Sequence, residues 1–143
     1  MIRRCWLFLT LAGALWILAN SSSAESAQAA QSPSDMYQSV YNGWKWWHVY
    51  CYRCHGQDAV GTTLAPTLID PKGKLTLPVF LRKVRNGVPE SGMQAWDKLL
   101  DDKQITQIYY YVIARTDKVL PPGRPDEVGP KGGRWSPPQG WPK

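Results

Sequence analysis

The chain has 143 residues, 43% of them hydrophobic, and a formal charge of +6. That size and content fit a small globular domain rather than a disordered chain. The lysines and arginines are scattered, without a block of five or six, so the charge reads as a solvated surface and nothing else supports binding to nucleic acid. Eight tryptophans beside 12 prolines and 12 glycines point to a domain built around something large and flat, with long irregular segments.

In chain order, Arg3 and Arg4 precede an apolar run from Cys5 to Ala19, and the small residues Ser22-Ser23-Ala24 and Ala27-Gln28-Ala29 follow. This is the charged, apolar, small-residue order of a secretory signal peptide. The run is short for a membrane span, which needs about 20 residues. Residues 1–24 are therefore expected to be an export signal, cut as late as residue 30, with Cys5 removed in it. Residues 25–34 form a flexible lead-in. The mature chain is expected in the periplasm, without stable membrane insertion; an uncut N-terminal tether is the alternative.

Asp35 and Gln38 form a D-x-x-Q capping pair ahead of a periodic run. Tyr37, Val40, Tyr41, Trp44 and Trp47 recur at steps of three and four, one stripe of a helix that ends near Cys51 and packs as core. Residues 56–74 lack periodicity and contain Gly61, Pro66, Pro71 and Gly73, a long loop of the kind that is usually functional. Thr76 caps a second helix carrying Leu77, Phe80, Leu81 and Val84, and Asn86-Gly87 closes it with a left-handed residue. A second loop, Val88 to Trp96, carries Met93. Asp101 and Gln104 repeat the capping pair before a third helix with Ile105, Ile108, Tyr109 and Val112, Tyr111 at its edge, fading near Thr116. Residues 117–143 hold seven prolines and five glycines, which no helix or central strand survives. This extended tail wraps the domain, clasps a partner or is a disordered end.

The chemistry gathers at Cys51-Tyr52-Arg53-Cys54-His55. Such a motif can be a disulfide, half a zinc site, a dithiol redox pair or a haem anchor. A structural zinc ion wants four nitrogen or sulfur ligands, and only His48 and His55 stand nearby. A thioredoxin-type dithiol follows a strand, whereas the residues before Cys51 read as helix. C-x-x-C-H is the attachment signature of c-type haem, two thioethers and a histidine on iron. A helical part of about 80 residues is marginal without a staple or cofactor, and a covalent haem would supply one. The second axial ligand must come from a segment able to fold over the ring. His48 is on the same helix as the motif and reads as a surface or packing histidine; Met36, in the first helical turn, reads as a cap-side hydrophobe. Met93, in its flexible loop, is the candidate sixth ligand.

With these pieces in order, the chain resembles a class I c-type cytochrome over roughly residues 35–116. In that family a helix with G-x-x-x-aromatic-x-x-x-C leads into C-x-x-C-H, matched by Gly43, Trp47, Cys51, Cys54 and His55. The resemblance implies that Pro66, in Ala65-Pro66-Thr67-Leu68, offers its carbonyl to the histidine ligand, with Ala65 where glycine is usual. It implies that Trp96 packs near a haem propionate and that the last helix crosses the first with Tyr111, or its neighbours Tyr109 and Tyr110, against Gly43. Gln94 stands where proline normally follows the ligand methionine. The implied fold is all-α and cytochrome c-like, three to four helices around one covalent haem c with His55 and Met93 on iron, plus the Pro/Gly-rich extension 117–143.

The implied function is single-electron transfer between redox proteins, not catalysis. Arg53, Lys72, Arg82, Lys83, Arg85 and Lys98 would surround the haem edge and steer an acidic partner, unless they serve solubility alone. The aromatic helix and tail are similar to periplasmic cytochromes that accept electrons from quinoprotein (PQQ) alcohol or methanol dehydrogenases and pass them to a cytochrome or oxidase. Two rivals stand beside this: a haem subunit of a membrane-associated oxidoreductase complex, and a haem enzyme or gas sensor with an open sixth site.

Overall fold

The computed structural model describes residues 32–69, 72 and 74–143. The expected export signal and most of the lead-in lie outside the described residues. The first helix, α1 (Pro33–Tyr50), starts earlier than the capping pair at Asp35 implies. Ser32 is its N-cap, with Oγ accepting the Asp35 N–H at 3.2 Å, and Pro33 takes the first helical position, where a missing N–H costs nothing. The earlier start puts Met36 inside the helix, and it is a core residue at 3% exposed rather than a cap-side one. Of the expected stripe, Tyr37, Val40 and Trp47 are buried while Tyr41 and Trp44 are only partly covered.

One helical turn, α2 (Tyr52–His55), follows directly. After the loop, α3 (Leu77–Asn86) buries Phe80 and Val84. Its N-cap Thr76 makes no side-chain cap bond. Gly87 ends it at φ +70, ψ −171, a positive-φ stop that is not the left-handed helical turn expected. A Cβ at Gly87 would also lie 2.5 Å from the Met93 carbonyl oxygen, so conformation and close approach both demand glycine.

The last helix, α4 (Asp102–Thr116), begins at a reciprocal capping box. Asp101 Oδ1 accepts the Gln104 N–H at 2.7 Å, and Gln104 Oε1 accepts the Asp101 N–H at 2.9 Å. It buries Ile105, Ile108, Tyr111, Val112 and Ala114. Tyr111 is fully buried, not at the edge. The crossing with α1 falls at Gly43, as expected, but against the backbone of Gln107 and Ile108 rather than a tyrosine. Tyr111 instead meets Trp47, one turn along α1, with ring centroids 5.8 Å apart. Tyrosine is too large for the point of closest approach; a bare backbone is what glycine admits.

The tail is less extended than expected: Arg124 O accepts the Glu127 and Val128 N–H groups at 3.0 and 3.1 Å in a turn, a short 3₁₀ turn follows at Pro130–Gly132, and the segment packs on the helices. Leu120 is 0% exposed and Trp135 is 4% exposed. The Trp135 Nε1–H donates to the Val119 carbonyl at 2.7 Å, and the Trp141 Nε1–H to Asp117 Oδ2 at 2.8 Å. Arg134 lies 3.5 Å over the Tyr37 ring and Arg124 5.4 Å over Trp44. Burying the indole bodies while satisfying their N–H groups is what holds so proline-rich a segment in place.

Candidate functional site

Cys51 is at once the C-cap of α1, its N–H donating to Trp47 O at 2.8 Å, and the N-cap of α2. The two cysteines and His55 therefore occupy one turn at the end of a rigid helix. Gly56, at φ +80, ends that turn, and the buried Trp47 indole N–H donates to its carbonyl at 3.0 Å.

The loop then returns over the histidine. His55 Nδ1 lies 2.9 Å from the Pro66 carbonyl oxygen. A carbonyl can only accept, so Nδ1 carries the proton and Nε2 keeps its lone pair for a ligand role. The return is tightly made. Gly61 N–H donates to His55 O at 2.8 Å, Leu68 N–H and Thr67 Oγ1–H donate to Ala59 O at 2.9 and 3.1 Å, and the Thr62 hydroxyl donates to Cys54 O. A Cβ on Gly61, at φ +85, would come within 2.5 Å of Thr67 N, so the loop closes only with glycine there.

A cavity of about 920 Å³ opens at this turn, the size range of cofactor pockets. Cys51, Cys54, His55, Pro66, Met93 and Trp96 all line it. Met93 is held by a reciprocal pair of backbone bonds, Val88 N–H to Met93 O at 2.8 Å and Met93 N–H to Val88 O at 3.2 Å. Trp96 donates its N–H to Val84 O at 3.0 Å and sets its ring edge-on to Tyr50 at 5.5 Å. Gln94, in the place of the usual proline, also lines the cavity; the Val88 bridge braces the loop. Burial, with Cys54 beside it as the lesser cause, pushes the Cys51 thiol up to about 12, so it stays a neutral thiol at ordinary pH.

Other placements differ in part from expectation. His48 packs as expected, its Nδ1 2.8 Å from Trp44 O and its ring between Trp44 and Tyr52, though it also lines the cavity. Arg53 and Lys83 reach the cavity, but Arg85 is paired with Asp102, Nε to Oδ1 2.7 Å, and Lys98 stands 3.5 Å from Asp97. The collar of positive charge is thinner than the sequence implies. Sequence reasoning missed the apolar rim, where Val49 is 61% and Leu64 72% exposed beside Tyr52. Three large exposed apolar side chains around one opening are an interaction signal, but their convergence depends on the loop closure and leaves no local pattern.

A c-type haem fits these residues. Two thiols, an imidazole with a free Nε2 and a thioether sulfur line one apolar, aromatic-walled cavity, and that donor set suits covalent attachment and iron rather than a hard cation.

Fold and site together define a c-type cytochrome domain. The family described as cytochrome C oxidase, cbb3-type, subunit III matches residues 38–112, more than half of the sequence, and the chain belongs to that family of haem proteins. Among solved structures, it is similar to the c-type cytochrome XoxG from Methylobacterium extorquens AM1, at 29% identity and TM-score 0.56 over 61% of this chain and 56% of that one. It is also similar to cytochrome CL from the marine methylotrophic bacterium Methylophaga aminisulfidivorans MPT, at 21% identity and TM-score 0.48 over 56% of this chain and 59% of that one. The chain thus spans a little over half the length of these two cytochromes. No protein of curated function matches it. Among the described residues no helix is long and apolar enough to cross a membrane.

Proposed function

We propose that the protein is a periplasmic electron carrier with one haem c, held through Cys51 and Cys54, and with His55 Nε2 and Met93 Sδ as its axial ligands. The observation that carries this reading is the 2.9 Å bond from His55 Nδ1 to Pro66 O, which readies Nε2 in a cavity that Met93 also lines. The haem, when bound, supplies reversible one-electron chemistry between Fe(III) and Fe(II). The Pro66 carbonyl orients the imidazole and raises its basicity. The Met93 thioether favours the reduced metal and so raises the potential relative to a second imidazole. With His55 and Met93 both holding the haem iron, no side would be left open for a substrate, which is the condition of a carrier rather than an enzyme.

Electrons exchange at the apolar rim formed by Val49, Tyr52 and Leu64, where Arg53 and Lys83 add positive charge. The proposed donor is a quinoprotein alcohol or methanol dehydrogenase and the acceptor a downstream cytochrome or oxidase. The family resemblance supports that choice, and the charged, apolar, small-residue order of residues 1–24 supports the periplasm. Exported protein should give one haem per chain by pyridine haemochrome and an intact mass lacking the N-terminal segment. Met93→Ala should lose the low-spin spectrum and lower the potential; a spectrum identical to the wild type would remove Met93 from the iron.

A further inference from the structure

The loop that presents Pro66 is tied to the rest of the fold beside a single carboxylate. Asp58 Oδ1 accepts the Gly123 N–H of the tail at 3.2 Å and stands 3.7 Å from Arg115 Nε at the end of α4. The pair is largely withdrawn from water, with side chains 10% exposed for Arg115 and 20% for Asp58. The Arg115 Nη1–H donates to Leu120 O, while its buried Nε has no hydrogen-bond partner. The guanidinium is thus aimed by Leu120 and drawn by Asp58 through charge. On one side of Asp58, Gln57 O accepts the Tyr111 hydroxyl at 3.1 Å. On the other, fully buried Ala59, at φ +63, carries Thr67 and Leu68 on its carbonyl. Those two residues directly follow Pro66.

We infer that Asp58 is a positioning residue for His55. By tying residues 57–59 to Arg115 and to the Gly123 amide, it fixes where Ala59 holds Thr67 and Leu68, and so where the Pro66 carbonyl meets His55 Nδ1. The donor strength of the imidazole, and with it the redox balance of the bound metal, is set partly from the tail. This rests on the reading of His55 as an axial ligand. A shorter hydrogen bond from Nδ1–H to the Pro66 carbonyl makes Nε2 more basic and favours Fe(III); loosening it favours Fe(II).

Charge alone makes a different prediction from positioning, which gives a sharp test. Removing the Asp58 carboxylate raises the potential by Coulomb's law, and removing the Arg115 guanidinium lowers it. Positioning has both changes loosen the same bond, so both raise it. The experiment compares haem-loaded wild type, Asp58→Asn and Arg115→Met, with Arg115→Gln in reserve should the methionine variant not fold. Midpoint potentials are measured, together with solvent exchange of the His55 Nδ1 proton by NMR. Expected are a shift of the reduced-to-oxidised ratio toward reduced by about threefold to tenfold, the worth of one net hydrogen bond, in both variants, and faster Nδ1 proton exchange in both. Shifts of opposite sign, or none with unchanged exchange, overturn the positioning role while leaving His55 on the iron. A wild type without low-spin, nitrogen-ligated iron removes the ligand reading and this inference with it.

Discussion

Replacing Gly43 by alanine adds one carbon at the place where α1 and α4 touch. Its Cβ would sit 1.9 Å from Gln107 O, 2.5 Å from Gln107 C and 3.0 Å from Ile108 N. All three are backbone atoms of α4, so no rotamer change relieves the clash. Comfortable contacts of carbon lie near about 3.5 Å, so the helices must part by roughly 1.5 Å. Alanine returns up to about 1 kcal/mol as the better helix former. Against that stand about 1–3 kcal/mol for overpacking and about 1 kcal/mol for the Trp46 Nε1–H to Gln107 Oε1 bond, 3.2 Å long, which spans the same crossing. The expected net loss is about 2 kcal/mol, a fall in Tm of roughly 8–16 °C for a domain of this size. Thermal unfolding of haem-loaded protein, followed by far-ultraviolet circular dichroism beside the wild type, measures it. A Tm equal to or above the wild type would mean that the helices do not meet at Gly43.

Substitutions elsewhere probe the tail and the cavity mouth. Trp135→Ala should cost about 3–5 kcal/mol in urea unfolding, since the indole is 4% exposed and bonded to Val119; a loss below about 1 kcal/mol would mean a tail only loosely attached. Hydrogen bonding and charge from Arg124 hold the Asp126 carboxyl below its usual range. The stability this gives is present above the ordinary value of about 3.9 and lost as pH falls through the depressed folded value. Wild type should therefore exceed Asp126→Asn at neutral pH by a small margin, as expected for so exposed a pair, and the margin should vanish in acid unfolding. Lys83→Glu, at the cavity mouth, should slow reduction by an acidic redox protein and flatten its dependence on salt in stopped-flow traces; a wild-type rate independent of ionic strength would leave the charge a solubilising role alone.

What the sequence discloses and what it hides divide along the range of the interactions. The helices are legible because caps and periodicity act within a turn or two, as in the Asp101–Gln104 box. Even there a local rival won at the first helix, where Ser32 and Pro33 outcompete Asp35 for the start. Cys51, Cys54 and His55 are legible because one helical turn carries them. Pro66 and Met93 have no such signature: Met93 is reached by setting His48 and Met36 aside and from its place in a Pro/Gly-flanked loop, and Pro66 only through the resemblance to a family. The Asp58, Arg115 and Gly123 junction joins residue types common on any surface, across 57 and 65 positions, so no window of sequence contains it.

That junction also lies where the family pattern stops. The match ends at residue 112, before Arg115, Leu120, Gly123 and Trp135 have entered the chain. The shared core, α1 through most of α4, suffices to bring two thiols, an imidazole and a thioether to one cavity. Residues 113–143 add no donor to that set. They bury Leu120 and Trp135 against the helices and return an amide to Asp58, three residues beyond His55. A tail that only clasped a partner would need no tryptophan in its own core and no bond to the haem-side loop. Both contacts face inward, so this segment acts first on the domain that carries it.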